Sequence, residues 1–243
     1  MSHIVFHEVD FTYDSFKRTE DVRNVIDGIT LSIDIGEFVV LLGTKGSGKS
    51  TFLKLCNALL LPGKGVVRIG GIDTRDDARI WEIRKTAGMI FQDPDSQIIG
   101  ATVAEDVAFG PENLGLPSHV IQGLVQEALK MVAMEEFTDC ATHLLSSDQK
   151  LRVTLAGILA MQPECILFDD AAAVLDPAGR IEFMTLLHDI SREKKLTVIH
   201  ATGNMEEVAA ADRIIKLENG KIAFDGKPEC LLSKLSNDFA VDN

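Results

Sequence analysis

Phe38-Val39-Val40-Leu41-Leu42-Gly43-Thr44-Lys45-Gly46-Ser47-Gly48-Lys49-Ser50-Thr51 joins an unbroken apolar run to a glycine-rich loop and the opening of a helix. The run is aromatic, β-branched or leucine throughout, which suits a strand covered on both faces, as in a parallel sheet. Gly43 to Ser50 fits the spacing G-x-x-x-x-G-K-[ST], with a strand before it and a helix after it. Its glycines let backbone N–H groups turn inward onto phosphate oxygens. The helix beginning near Ser50 adds its positive dipole end. Lys49 then reaches the β- and γ-phosphates of a nucleoside triphosphate, and the Ser50 hydroxyl ligates Mg²⁺. Thr51 is counted with the residues that contact the nucleotide.

Strands and helices alternate on both sides of this loop. Ile4-Val5-Phe6 and the segment 9–13 read as strand, turn, strand; the charged stretch 14–24 reads as a loop, and 25–35 as an alternating strand. Helices are expected over residues 50–60, 118–134, 149–161 and 180–190. Further strands are expected over 66–72, 87–91, 165–168, 196–201 and 213–217. Such alternation implies parallel βαβ units. The region from 92 to 147 breaks it, being mostly helical, and is read as a helical subdomain. Ile166-Leu167-Phe168-Asp169 is an apolar strand ending in an acid. An acid there points into the crevice at the carboxyl end of the sheet, where ligands bind. Asp169 is therefore assigned to Mg²⁺, directly or through water, with a helix-capping role as the alternative.

The composition narrows the function. A chain of 243 residues, 46% hydrophobic, can bury one sizeable α/β core. A net charge of −13 argues against non-specific nucleic-acid binding, which needs a basic face. It also opposes unaided adhesion to an anionic membrane. Cys56, Cys140, Cys165 and Cys230 lack zinc or CxxC spacing and are expected as free thiols, Cys165 in a buried strand. The start, Met1-Ser2-His3-Ile4, shows no signal peptide, and no apolar run approaches the ~20 residues that span a bilayer. Attachment to the cytoplasmic face of a membrane would go through a partner chain.

The string of motifs resembles one family, the ATP-binding subunits of ABC transporters, and within it the energy-coupling-factor group, which powers uptake of vitamins and metal ions. The resemblance runs from about residue 4 to 235. Its most group-specific stretches are Phe91-Gln92-Asp93-Pro94-Asp95-Ser96-Gln97 and Val103-Ala104-Glu105-Asp106-Val107-Ala108-Phe109-Gly110-Pro111-Glu112-Asn113. The resemblance implies a RecA-like P-loop core with an antiparallel β region and a helical subdomain at about 92–160, in a single domain over 1–243. It implies ATP and Mg²⁺, with Tyr13 stacking on adenine and Gln92 touching the metal and the attacking water. It implies that Leu175-Asp176-Pro177 crosses a dimer interface, Asp176 being the dimer-loop residue. Members of the group often run longer, so a C-terminal dimerisation segment is expected to be missing after Asn243.

Three departures fall on the machinery. The family places a glutamate after the metal acid; here the base is Asp170, one methylene shorter. A general base must reach its water, and a displacement of ~1 Å costs ~10²-fold. The switch histidine falls on Gly203, while His200 lies three positions early, within a strand. The signature LSGGQ reads Leu145-Ser146-Ser147-Asp148-Gln149. In the family, residues equivalent to Ser146, Ser147, Asp148 and Gln149 cap the γ-phosphate held by the opposite subunit. Asp148 brings a negative charge there, worth roughly 4 kcal/mol of repulsion at ~4 Å and a dielectric near 20; the alternative is that it only caps the helix. Ala172 and Ala173 also replace the usual Thr-Ser. ATP binding is expected to be kept and turnover to be poor.

The expected partners are a second ATP-binding subunit, identical or paralogous, in a head-to-tail dimer, a transmembrane coupling subunit, and through it a substrate-binding membrane subunit. The alternative is a catalytically weak or inactive scaffold or regulatory subunit of the same complex. A third reading, a soluble ATP-dependent protein outside transport, is disfavoured because such relatives usually join two of these domains in one chain.

Overall fold

The computed structural model describes residues 2–13 and 24–233; the loop expected from 14 lies outside them up to residue 23. β1 (Ser2–Phe11) and β2 (Ile26–Asp34) form an antiparallel pair. β3 (Phe38–Leu42) is buried at every position, as its unbroken apolar run requires. After it come α1 (Lys49–Cys56), β4 (Lys64–Ile69), β5 (Ile72–Asp73), α2 (Ile80–Thr86) and β6 (Ala87–Ile90). α3 (Val103–Asn113), α4 (Ser118–Met131) and α5 (Ser147–Ala160) follow. β7 (Cys165–Asp169), α6 (Pro177–Lys194), β8 (Thr197–Thr202), β9 (Arg213–Glu218) and β10 (Lys221–Gly226) complete the order.

Two sheets result. One has four antiparallel strands in the order β2-β1-β4-β5. The other has six, in the order β10-β9-β3-β8-β7-β6, parallel except for β10. α1 lies between the sheets, where Phe52 stacks on Phe6 with ring centroids 4.5 Å apart. That apolar cluster takes Val39, Leu41, Leu167 and Ile199 from one face of the six-stranded sheet. The other face gives Phe38, Val40, Phe168 and Val198 to a second cluster, shared with α3, α4, α5 and α6. Alternation along β3, β7 and β8 thus divides the core into two, with the glycine-rich loop after Leu42 and Asp169 at the carboxyl ends of the strands between them. This is the RecA-like P-loop arrangement with an antiparallel sheet and a helical subdomain.

Several elements depart from expectation for local reasons. The opening is one strand, not strand-turn-strand: a register shift between Phe6 and Val9, with Glu8 at φ 48°, absorbs the polar His7-Glu8 pair as a bulge. α1 ends at Cys56, four residues early, because the N–H groups of Leu59 and Leu60 both close onto the Lys54 carbonyl. α6 begins earlier than expected because Asp176 accepts from Gly179 N (2.7 Å) and Pro177 occupies the first helical position. α2 was invisible in the sequence: Ile83 is its sole buried residue and Trp81 is exposed, so no apolar stripe forms. β10 is an edge strand of alternating exposure. Cys56 and Cys165 are buried and Cys230 exposed, and all four cysteines are free thiols. Among the described residues, no helix is long and apolar enough to cross a membrane.

Candidate functional site

The loop from Gly43 to Ser50 is wound tightly under its own strand. Gly43 N donates to Thr202 O (3.2 Å), which fixes the loop to the end of β8. A side chain at Gly43 would collide with Ser47 Oγ and with the Leu217 carbonyl oxygen (2.7 Å). Gly48, at φ 106°, would strike the Val25 carbonyl oxygen at 2.7 Å. Both positions therefore need glycine. Ser47 is buried beneath the loop, whereas Thr44, Lys45 and Gly46 are exposed on its outer side.

Lys49 arches back over the loop, its Nζ donating to the carbonyls of Gly43 (2.7 Å) and Thr44 (3.1 Å). Burial holds its ammonium below the usual lysine range, opposed by Asp170 and Asp169. Ser50 Oγ donates to Asp169 Oδ1 at 2.9 Å, although the two are 119 positions apart. Burial pushes the Asp169 carboxyl up, while the Ser50 hydrogen bond, Lys54 and Lys49 pull it down. Tyr13, 56% exposed, shares a 3.0 Å hydrogen bond with Thr51 Oγ1 and meets Phe11 edge-on. It is a surface aromatic beside the loop and not a strand-face core residue.

A cavity of about 550 Å³ gathers these groups. The loop and α1 contribute Gly43, Lys45, Gly46, Gly48, Lys49, Ser50 and Thr51. Tyr13 and the exposed Gln92 line it from the sides, and Asp169, Asp170 and Gly203 from the ends of β7 and β8. Asp170 takes a left-handed turn (φ 52°) as its N–H donates to Ala201 O (3.0 Å). Its carboxyl is pushed up by burial and drawn back by His200. Gly203 is exposed, and a Cβ there would lie 3.5 Å from Gly43 O, so any side chain at 203 would stand directly over the loop.

The signature residues sit elsewhere, at the start of α5. Ser146 caps this helix: Gln149 N donates to Ser146 Oγ (3.3 Å), and Ser146 N to Gln149 Oε1 (2.9 Å). Ser147 is exposed in the first turn. Asp148 is not the cap. Its Oδ2 accepts from Arg152 Nε at 2.8 Å, one turn along. Arg152 is 8% exposed and also donates to Glu182 Oε1 (2.9 Å) on α6. Lys150 ties the same helix to the segment after Gln92 through Asp95 (2.7 Å). Asp176 is committed as the cap of α6 and lies outside the cavity.

The sequence reading missed a buried polar cluster behind Asp170. His200 is fully buried in β8, and its Nε2 lies 2.6 Å from Glu207 Oε2. Glu207 also faces Arg180 Nη1 (3.7 Å) and Asn204 Nδ2 (3.5 Å). Burial alone would raise the Glu207 carboxyl, but hydrogen bonds from His200 and Thr202 and the Arg180 charge bring it below the usual value. Met205-Glu206-Glu207 carries no periodicity to show which acid turns inward.

A family profile described as ABC transporter matches residues 26–173 of this chain. The chain belongs to the ABC transporter family, as an ATP-binding subunit of the energy-coupling-factor type. Among the relatives of this ABC subunit, the energy-coupling factor transporter ATP-binding protein EcfA1 of Clostridium novyi is 48% identical over 219 residues, 90% of this chain and 78% of the relative. The solved structure of cbiO1 from Clostridium perfringens, part of the ABC transporter complex cbiONQ, superposes with a TM-score of 0.87 at 32% identity, covering 99% of this chain and 94% of that one. A dimeric post-hydrolysis structure of the ATP-binding cassette MJ0796 with ADP and Pi reaches a TM-score of 0.80 at 30% identity, over 93% of this chain and 98% of that one. Membership of this family of P-loop ATPases carries with it the use of ATP and Mg²⁺.

Proposed function

We propose that this ABC subunit binds Mg-ATP in the cavity beside Tyr13 and energises an uptake transporter for a vitamin or metal ion, with slow hydrolysis at its own site. The observation that carries this reading is the 2.9 Å link between Ser50 Oγ and Asp169 Oδ1, with Lys49 over the same loop. A hydroxyl and a carboxylate are hard oxygen donors of the kind Mg²⁺ takes, so the residues fit the ion. Ser50, Asp169 and Gln92 would hold it, and the bound ion would neutralise charge on the transferred phosphoryl group. Lys49 would leave its two carbonyl partners for the β- and γ-phosphates, the loop N–H groups would wrap the tail, and Tyr13 would cover the base. Asp170 would accept a proton from the attacking water, at the reach of a shorter side chain.

The second half of the site would come from another ATP-binding subunit placed head to tail, through the segment around Asp176 and the signature of α5. The dimeric MJ0796 cassette with ADP and Pi supports that arrangement. The cbiONQ complex of the solved relative supports membrane partners, so this chain would sit at the cytoplasmic face through them. A groove of about 500 Å³ lined by Trp81, Ile99, Phe109 and Met161 suits a coupling segment of the transmembrane subunit. Trp81 and Ile99 are 66% and 59% exposed there.

The scaffold reading is favoured by one cluster: Asp170, Gly203 and the charged signature all depart in one chain. Single-turnover incubation with radiolabelled Mg-ATP separates the two. Phosphate release well below that of a partner with intact motifs, yet measurable, supports the energising reading. Nucleotide retained with no release supports the scaffold, and release at family-typical rates contradicts slow hydrolysis.

A further inference from the structure

His200 is a histidine placed where the strand pattern calls for an apolar residue. It pairs with Phe168 across β7 and β8, one step from the Asp169–Ala201 pair. Its ring lies 5.2 Å from that of Phe168, on the sheet face opposite Leu167, Ile199 and Ala201. Nε2 is engaged by Glu207 at 2.6 Å, whereas Nδ1 is buried with no hydrogen-bond partner among the described residues. The same cluster reaches the turn that carries Asp170 by a second route. Arg180 faces Glu207 at 3.7 Å and donates from Nε to the Ala172 carbonyl at 3.3 Å. It also reaches the loop at Gly203: Asn204 N donates to Thr202 Oγ1 at 3.0 Å, and Asn204 Nδ2 lies 3.5 Å from Glu207.

We infer that His200, clamped by Glu207, is a positioning residue that sets the Asp170 carboxylate and compensates from inside β8 for the side chain absent at Gly203. Asp170 has lost a methylene of reach, and Gly203 offers nothing to hold the loop over the phosphate. A rigid ring behind the base, tied through one carboxylate to both segments, limits the arc through which Asp170 can swing. The backbone ties the two directly: Asp170 N donates to the carbonyl of Ala201, the residue after His200 in β8, at 3.0 Å. The inference deepens the proposed function and rests on it, because a positioned base matters only if phosphoryl transfer occurs at this site.

The test is a double-mutant cycle on the full chain assembled with a partner ATP-binding subunit whose own nucleotide loop is disabled, read by single-turnover phosphate release and, separately, by affinity for a fluorescent ATP analogue. His200→Val should slow release about tenfold, as a displaced base does, with nucleotide affinity within about twofold. In an Asp170→Ala background the same change should have no further effect, which a merely structural role would not produce. Adding Gly203→His to His200→Val should restore most of the rate. If His200→Val fails to fold, His200→Asn, which keeps a polar partner for Glu207, should show the same loss. An unchanged rate, effects of His200 and Asp170 that simply multiply, or no rescue by Gly203→His overturns the inference. So does an unaltered chain in that assembly that binds the analogue but releases no phosphate. Failure to bind the analogue at all sinks the proposed function instead.

Discussion

Replacing Asp148 with glycine restores the residue that the signature pattern calls for, and the structure indicates what this costs. Asp148 lies in the first turn of α5, where an acid stabilises the helix by ~0.3–1 kcal/mol. It pairs with Arg152 at 2.8 Å, but the carboxylate is 37% exposed, so solvent screening leaves the pair about 0.3–0.5 kcal/mol. Glycine adds about 0.3 kcal/mol of lost helix propensity. Arg152 keeps Glu182 and the Val132 carbonyl, so its buried charge is not stranded. The sum is a loss of about 1–2 kcal/mol, read as a lower urea midpoint at constant slope. On the other side, the Arg152 guanidinium 2.8 Å from Asp148 acts against the repulsion expected between Asp148 and a phosphate held by a facing subunit. The gain in ATP-dependent association is then roughly 1–2 kcal/mol, about tenfold, below the ~4 kcal/mol of two bare charges. Sedimentation with Mg-ATP and partner subunit measures it. An unchanged urea midpoint, or a dimer weakened by the substitution, would refute this reasoning.

Gly43→Ala drives a methyl into Ser47 Oγ and the Leu217 carbonyl, so the loop must shift, and ATP affinity should drop at least tenfold while the fold, followed by circular dichroism, is retained. Asp212 accepts from Phe38 N (2.8 Å) and Arg192 Nη2 (2.6 Å), and although burial acts to raise its carboxyl, those partners hold it below the usual value. A depressed carboxyl stabilises the fold above its unfolded pKa of about 3.9 and loses that stabilisation as pH falls through the lower folded value. The carboxylate is 37% exposed, so solvent screening limits its worth, and Asp212→Asn should cost about 0.5 kcal/mol at pH 7 and almost nothing near pH 2, by urea titration at each pH.

Much of this was legible in the sequence because strand, loop and helix carry different signatures. The unbroken apolar run from Phe38 to Leu42 marked the central strand, and the glycines at 43 and 48 sit where the backbone passes other carbonyls too closely for a Cβ. The acid ending the apolar strand at Asp169 drew notice because it points toward the crevice, and the structure puts its carboxylate on the Ser50 hydroxyl. What stayed hidden depended on tertiary partners. α2 has only Ile83 to bury, so no helical period could announce it. Asp148 looked like a cap in sequence, but Ser146 completes the box with Gln149 and leaves Asp148 to Arg152. The inward turn of Glu207 onto His200 is set by packing after β8, which adjacent acids in a chain do not encode.

The central claim is that a triphosphate tail lies in the bend between β3 and α1, with Lys49 upon it. Titration calorimetry with ATP and Mg²⁺ on the full chain tests it most directly. The account predicts saturable binding to one site per chain, weakened at least tenfold by Lys49→Ala. Absence of binding, or binding indifferent to that substitution, would contradict it.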